Sequence, residues 1–268
     1  MMKKFFAQAY VWLLLILLYA PLIFIAIFSF TQSKVMGNWT GFTFDVYKNF
    51  FTGNFQGSSA LYSALLNTLV IAVVSALVAT FLGTLAAISF HNMAGRRRNA
   101  LMFVNNIPMI NPDIITGVSL FLLFVFMGIT KGYLTVILAH ISFCTPYVVL
   151  SVMPRLTQMN PNIYEAALDL GATPAQALRK VLMPQLIPGM ISGFILAFTM
   201  SLDDFAVTFF TKGTQGIETL STFIYNDARK NGLTVELRPL MTLIFAFVLI
   251  VLLIINLRSA KQARKIKQ

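Results

Sequence analysis

Apolar residues gather along this chain into six long runs that are separated by polar stretches. The runs cover 10–30, 61–90, 100–127, 134–153, 189–210 and 239–257. A helix needs about 20 apolar residues to cross the hydrocarbon of a bilayer, and each run is long enough to do so. The pattern predicts an all-α membrane protein with six transmembrane helices, forming a single transmembrane domain over residues 1–268.

The first run follows Lys3 and Lys4, an arrangement that secretory signal peptides share. The apolar core of a cleavable signal has about 7 to 15 residues, and this run is longer. We therefore expect an uncleaved first transmembrane helix.

Composition supports a membrane protein. Hydrophobic residues make up 57% of the 268 and charged residues 11%, against about a quarter charged in soluble domains. The net charge of +11 lies in short clusters beside the apolar runs, where contact with lipid headgroups explains it. Nucleic-acid binding needs a basic face on a soluble domain, so it is not predicted. The lone Cys144 cannot form an internal disulfide.

The distribution of Lys and Arg predicts the orientation, because cytoplasmic loops are enriched in these residues. With the N-terminus inside, thirteen fall on the cytoplasmic side and seven on the outer side. The thirteen are Lys3, Lys4, Arg96, Arg97, Arg98, Arg155, Arg179, Lys180, Arg258, Lys261, Arg264, Lys265 and Lys267. We expect a multi-pass protein of the bacterial inner membrane, with both termini in the cytoplasm.

Two of the predicted outer loops are long. Loop 31–60 is rich in aromatic residues, which suits either a belt at the lipid headgroups or contact with a partner. Loop 211–238 contains an apolar stretch at 217–225 that predicts a short surface helix.

The segment 154–188, between the fourth and fifth runs, carries clear signals for a first short helix. Asn160 and Pro161 are typical of an N-cap and a first helical position, and Gly171 is typical of a helix end. A second helix should follow at once.

Thr173, Pro174 and Gln176 have the spacing of a capping box with proline in the first turn. Pro184 is expected to end this second helix near Met183. A stiff pair of helices joined at a glycine could fill a groove on a soluble partner, or it could lie on the membrane as an amphipathic hairpin.

The same segment resembles the EAA signature of ABC importer permeases, E-A-A-x3-G-x9-I-x-L-P. Glu165, Ala166, Ala167, Gly171 and Pro184 match it at the expected spacing. Val181 and Met183 replace the usual Ile and Leu and keep an apolar volume. The resemblance implies a coupling loop that docks on a separate ATP-binding subunit.

Nearly the whole chain is similar to the spermidine/putrescine permease family. The stretches that carry this likeness are 119–127, 139–146, 165–184 and 198–204. Within that family the likeness is closer to the second permease subunit than to its longer sibling. It implies the type I ABC importer permease fold, with the sibling permease, two ATP-binding subunits and an external polyamine-binding protein as partners. ATP and Mg would bind the ATP-binding subunits, and this chain would bind no cofactor or metal.

The acidic residues of the apolar runs are Asp113, Asp203 and Asp204. An ionisable side chain within a bilayer-spanning helix is costly and should face a polar pathway or a partner. A carboxylate attracts an ammonium group by about 4 kcal/mol at an effective dielectric near 20, so a pathway with these residues suits a cation.

Structural roles are open for the same residues. Neighbouring positions lie about 100° apart on a helix, so Asp203 and Asp204 cannot both face one pore. Ser201 and Asp204 could form a capping box at a helix break. Asp113 follows Asn111 and Pro112 and would begin a restarted helix, where a carboxylate is favourable.

Catalytic signatures are missing from the sequence. No phosphate-binding G-x-x-x-x-G-K-S/T occurs, so we expect a non-catalytic subunit. His140 and Cys144 are too few for a metal site, and a hydrogen-bonded core histidine is expected. The alternatives are an ABC importer permease for another small solute, or a self-sufficient secondary transporter or channel.

Overall fold

A computed structural model of the protein describes residues 2–160, 162–214 and 217–266. Its regular elements are helical. The α-helices are α1 (Met2–Phe28), α2 (Asp45–Thr52), α3 (Ser58–Asn92), α4 (Gly95–Ile110), α5 (Asp113–Phe126), α6 (Tyr133–Gln158), α7 (Asn162–Asp169), α8 (Pro174–Ala177), α9 (Met183–Asp203), α10 (Ala206–Thr211), α11 (Leu220–Asn231) and α12 (Leu237–Ile266). A π-helical turn, Leu178–Leu182, joins α8 to α9.

Four described helices are long and apolar enough to cross a membrane. They are Tyr10–Phe28, Ser58–Asn92, Tyr133–Gln158 and Pro174–Asp203. The pair α4 and α5 would make a fifth span if counted together, and Leu237–Ile250 is a shorter apolar helix. The all-α architecture is confirmed, while the count of six transmembrane helices stays a prediction.

The predicted third run, 100–127, is not one straight helix. The chain bends by 108° between Gly95–Ile110 and Asp113–Phe126. Pro112 at the bend has no N–H to continue the hydrogen bonds of α4, and it disfavours a helical conformation at Asn111. Asn111 is accordingly extended, with φ −73° and ψ 138°. The expectation that a helix restarts at Asp113 is confirmed.

The predicted fifth run, 189–210, also differs from the structure. Its helix continues from the segment before it, ends at Asp203, and is followed by the separate short helix α10. The surface helix expected at 217–225 is present as α11, somewhat later in the chain, and α2 within loop 31–60 was not predicted.

The chain divides into two compact units, one of Met1–Leu61 with Ile224–Gln268 and one of Tyr62–Phe223. In the first unit α12 packs against α1 and α2. The ring of Phe30 lies 5.1 Å from that of Phe42 and 5.0 Å from that of Tyr47, so part of the aromatic loop forms a cluster of its own.

In the second unit α6 lies at the centre and packs along α9, with α4 and α10 beside it. Glycines permit this close packing around Val148 of α6. A Cβ at Gly83 of α3 would lie 2.7 Å from the Val148 Cβ, and one at Gly193 of α9 would lie 3.1 Å from its Cγ1. Small residues at such contacts let membrane helices approach closely. The tight packing fixes the position of α9, which begins within the segment 154–188 and ends at Asp203.

Candidate functional site

The helix α7 is built by local hydrogen bonds that the sequence anticipates. The Asn160 side-chain oxygen accepts the backbone N–H of Asn162 at 3.0 Å. Pro161, the predicted first helical residue, lies outside the described residues. At the other end Gly171 adopts φ +86°, and its N–H donates to the Leu168 carbonyl at 2.9 Å. Glycine is favoured there because a Cβ would strain this left-handed conformation.

The predicted capping box at α8 is also confirmed. The Thr173 N–H donates to the Gln176 side-chain oxygen at 3.0 Å, and the Gln176 N–H donates to the Thr173 hydroxyl at 3.3 Å. The two helices therefore follow each other with only Leu170 to Thr173 between them.

The expectation that Pro184 ends the second helix is wrong. Helical structure continues from Pro174 through the π turn to Asp203. Proline cannot donate to the carbonyl four residues earlier, and its ring crowds that carbonyl. A π turn lies just before Pro184, where the Met183 N–H donates five residues back to the Leu178 carbonyl instead of four. The wider turn accommodates the proline, so the helix continues. The segment 154–188 is thereby joined rigidly to the long helix α9.

The residues of the EAA-like motif differ in exposure. Glu165, Ala166, Gly171 and Pro184 are exposed, whereas Ala167 is buried. The side chain of Leu170 is 89% exposed, which is unusual for leucine in a folded segment. An exposed face with a carboxylate, small residues and one protruding apolar side chain is suited to contact with another protein.

Behind this face lies a cavity of about 560 Å³, which the sequence did not predict. Glu165, Tyr164, Leu178 and His91 are among the residues that line it. It lies where α7 and α8 meet the ends of α3 and α6.

The acidic residues of the apolar runs lie far from this segment. Asp203 is about 28 Å from Pro184 along α9, at about 1.5 Å per residue. Asp113 is exposed at the start of α5, which packs against α10. The structure thus groups Asp113, Asp203 and Asp204 on neighbouring helices of one unit.

Asp203 and Asp204 have opposite environments. Asp203 is exposed at the end of α9, while the side chain of Asp204 is only 6% exposed. The Asp204 carboxylate accepts the backbone N–H of Val207 at 3.1 Å and that of Thr208 at 2.7 Å. It therefore holds the first turn of α10 after the break in the fifth run.

The capping box proposed for Ser201 and Asp204 is not formed, although the helix break is present. The Ser201 hydroxyl lies 2.6 Å from His140 Nδ1 instead. His140 is 1% exposed, and its Nε2 lies 2.9 Å from the Thr208 hydroxyl and 3.5 Å from the Asp204 carboxylate. The interpretation of His140 as a hydrogen-bonded core residue is confirmed.

Sequence reasoning paired His140 with Cys144 and missed its contacts to α10. Asp204 could have indicated the start of α10, because a carboxylate shortly before a helical turn commonly accepts the free N–H groups of that turn. Nothing local to His140 indicated its partners.

Known proteins resemble this chain in sequence and in fold. A family profile described as "binding-protein-dependent transport system inner membrane component" matches residues 79–263. The putrescine transport system permease protein PotI of Escherichia coli (strain K12) is 38% identical over 242 residues, covering 87% of this chain and 83% of that protein.

The spermidine/putrescine transport system permease protein PotC of Haemophilus influenzae (strain ATCC 51907 / DSM 11121 / KW20 / Rd) is 33% identical over 261 residues, covering 97% of this chain and 99% of that protein. A solved structure shares the fold at 19% identity, with a TM-score of 0.64 over 95% of this chain and 91% of that chain. It is a bacterial alginate ABC transporter in complex with an alginate pentasaccharide-bound periplasmic protein.

Proposed function

Because this chain belongs to the family of binding-protein-dependent transport system inner membrane components, we propose that it forms half of the translocation pathway of a polyamine importer. Family membership makes it a multi-pass permease component of an ABC importer in the inner membrane. The cargo that we propose is putrescine, spermidine or a related amine, in line with the names of the relatives that align over most of the chain.

The observation that carries this proposal is the exposed carboxylate of Asp203 at the end of an apolar helix. A charged group at that position is costly in lipid and should face a polar path or a partner. A translocation pathway lined by carboxylates attracts ammonium groups and repels anions such as sulfate or phosphate. Asp113, also exposed, adds a second carboxylate on the helix that packs beside α10.

The EAA-like segment is the proposed coupling element. Its exposed residues Glu165, Ala166 and Gly171 would contact an ATP-binding subunit, while Ala167 is buried and Pro184 lies in the first turn of α9. The continuous helix from Pro174 to Asp203 supports a mechanical role, because a stiff element can carry motion from one end to the other. ATP and Mg would be bound by that subunit, and this chain would not be catalytic.

The proposed assembly contains this chain, a second permease subunit, two ATP-binding subunits and an external polyamine-binding protein. The solved relative bound to a periplasmic protein supports the last of these partners. Both termini lie in the cytoplasm in this proposal. Cysteines introduced at Lys4 and Asn38 should then react with a membrane-impermeant thiol reagent only from the inner and only from the outer side, respectively.

The test is uptake of labelled putrescine and spermidine by proteoliposomes that contain the assembled importer and its external binding protein. Uptake should require ATP and should fall in Asp203→Asn. Competition by an amino acid, sulfate or iron with no competition by polyamines would assign another cargo. Uptake that continues without ATP or an ATP-binding subunit would refute the importer mechanism.

A further inference from the structure

Four buried polar side chains form a joint at the break after α9. The joint consists of His140 on α6, Ser201 on α9, Asp204 between the helices and Thr208 on α10. Three separate helices thus meet through hydrogen bonds beside the apolar cluster that α6 and α9 share. Buried polar networks of this kind specify one arrangement of the surrounding elements when every member is satisfied.

The hydrogen bonds of the joint can be ordered from donor to acceptor. The Thr208 hydroxyl donates to the Asp204 carboxylate at 2.8 Å, so its oxygen is left to accept from His140 Nε2–H at 2.9 Å. The Ser201 hydroxyl shares the remaining hydrogen bond with His140 Nδ1 at 2.6 Å. Both hydroxyls and both ring nitrogens of the joint thus have a hydrogen-bond partner within it.

Asp204 is therefore fully engaged within the subunit. Its carboxylate accepts two backbone N–H groups and one hydroxyl, and only 6% of its side chain is exposed. A cation from the pathway would have to displace these donors to reach it, and burial leaves little room to do so. Asp203, one residue earlier, is exposed.

The backbone explains how adjacent carboxylates point in different directions. Asp203 is the last residue of α9, and Asp204 turns out of the helix with φ −64° and ψ 132°. Anchoring Asp204 inward on the joint therefore fixes where the chain leaves α9 and where the exposed Asp203 is presented.

We propose that His140 and Thr208 are positioning residues which, by holding Asp204 inward, aim the Asp203 carboxylate at the ammonium groups of the cargo. This inference rests on the proposed function, since it assumes that Asp203 faces the pathway. It assigns different tasks to the two aspartates, with Asp203 meeting the cargo and Asp204 anchoring the chain.

The experiment measures polyamine uptake and ATP hydrolysis in the same proteoliposomes containing the complete importer. We expect His140→Asn and Thr208→Val each to lower the polyamine transported per ATP hydrolysed by about tenfold, as for one misplaced binding group. Thr208→Ser keeps the hydroxyl and should restore the wild-type ratio. Cys144→Ala, one turn from His140 and equally buried, is the matched control and should leave the ratio unchanged.

A double variant separates positioning from general damage. If His140 acts through Asp203, adding His140→Asn to Asp203→Asn should lower the ratio no further. Independent, multiplying losses would overturn the proposal, as would wild-type ratios in both His140→Asn and Thr208→Val. If His140→Asn does not assemble, the comparison of Thr208→Val with Thr208→Ser decides alone.

Failure of this inference differs from failure of the proposed function. A wild-type ratio in Asp203→Asn would remove the pathway role on which both depend. A lowered ratio in Asp203→Asn, with wild-type ratios in the His140 and Thr208 variants, would remove only the positioning role.

Discussion

The guanidinium of Arg238, which is completely buried, donates a 2.8 Å hydrogen bond to the backbone carbonyl of Ser33. The same side chain also donates to the carbonyls of Phe28, Lys34 and Leu233. One cation at the start of α12 therefore ties down the end of α1 and the beginning of loop 31–60, which lie in the same compact unit.

Replacing Arg238 by Met should destabilise the protein strongly. The apolar side chain would leave several buried carbonyls without a donor, at a cost of about 3 kcal/mol. The melting temperature of the purified complex measures the effect, and Arg229→Met at the exposed end of α11 is the control. Equal melting temperatures for the two variants would contradict a structural role for Arg238.

Arg238 also illustrates why part of the structure escapes prediction from sequence. Its neighbours along the chain mark it as one more loop charge, whereas its partner Ser33 is 205 residues away. His140 is similar, since its hydroxyl partners are 61 and 68 residues distant. No local pattern encodes such contacts, because they depend on how the helices pack.

Predictions that rest on a few neighbouring residues fared better. The capping box at Thr173 and Gln176 and the stop at Gly171 involve bonds that span five residues or fewer, so the residue types alone indicate them. The prediction that the helix ends at Pro184 was wrong because it assumed regular α-helical hydrogen bonds. The adjoining π turn admits proline without ending the helix.

Asn in place of Asp203 or Asp204 should have different consequences. Asp203→Asn removes an exposed charge, so uptake should fall at least about tenfold while the melting temperature stays unchanged. Asp204→Asn places amide hydrogens against the Thr208 N–H and should also lower the stability by about 2 kcal/mol. Uptake assays and thermal unfolding, run in parallel, distinguish the two.

Asp45→Asn provides the control for loss of an acidic charge, because Asp45 is exposed at the start of α2, away from the apolar runs. Its uptake should match wild type. If Asp203→Asn also transports normally, the cation pathway is elsewhere.

Thr173→Ala should loosen the start of α8. Alanine has no hydroxyl to accept the Gln176 N–H, and losing this cap costs about 1 kcal/mol, whereas Thr173→Ser keeps the hydroxyl and should keep most of the stability. We expect faster proteolysis within 154–188 in Thr173→Ala, together with weaker stimulation of ATP hydrolysis by the loaded binding protein. A proteolysis rate equal to wild type would show that the cap does not stabilise the segment.

Gly171→Pro should uncouple ATP hydrolysis from transport. Proline requires φ near −65°, whereas Gly171 has φ +86°, and it cannot donate to the Leu168 carbonyl. The angle between α7 and α8 must then change. If these helices transmit motion, binding-protein-stimulated ATP hydrolysis and uptake should both fall at least tenfold, as measured in proteoliposomes.

Gly128→Pro is a close control for Gly171→Pro, because Gly128 follows the end of α5 in the same backbone conformation. Gly128 has φ +68°, and its N–H donates three residues back to the Val125 carbonyl at 3.1 Å, as Gly171 does to Leu168 at 2.9 Å. Gly128→Pro should therefore cost a similar amount of stability, since the same bond is lost and the same backbone conformation is forbidden. It should nevertheless leave stimulated ATP hydrolysis intact, because Gly128 lies outside 154–188. Equal loss of stimulation in both variants would mean that the defect is one of folding, and the coupling role of the Gly171 joint would have to be abandoned.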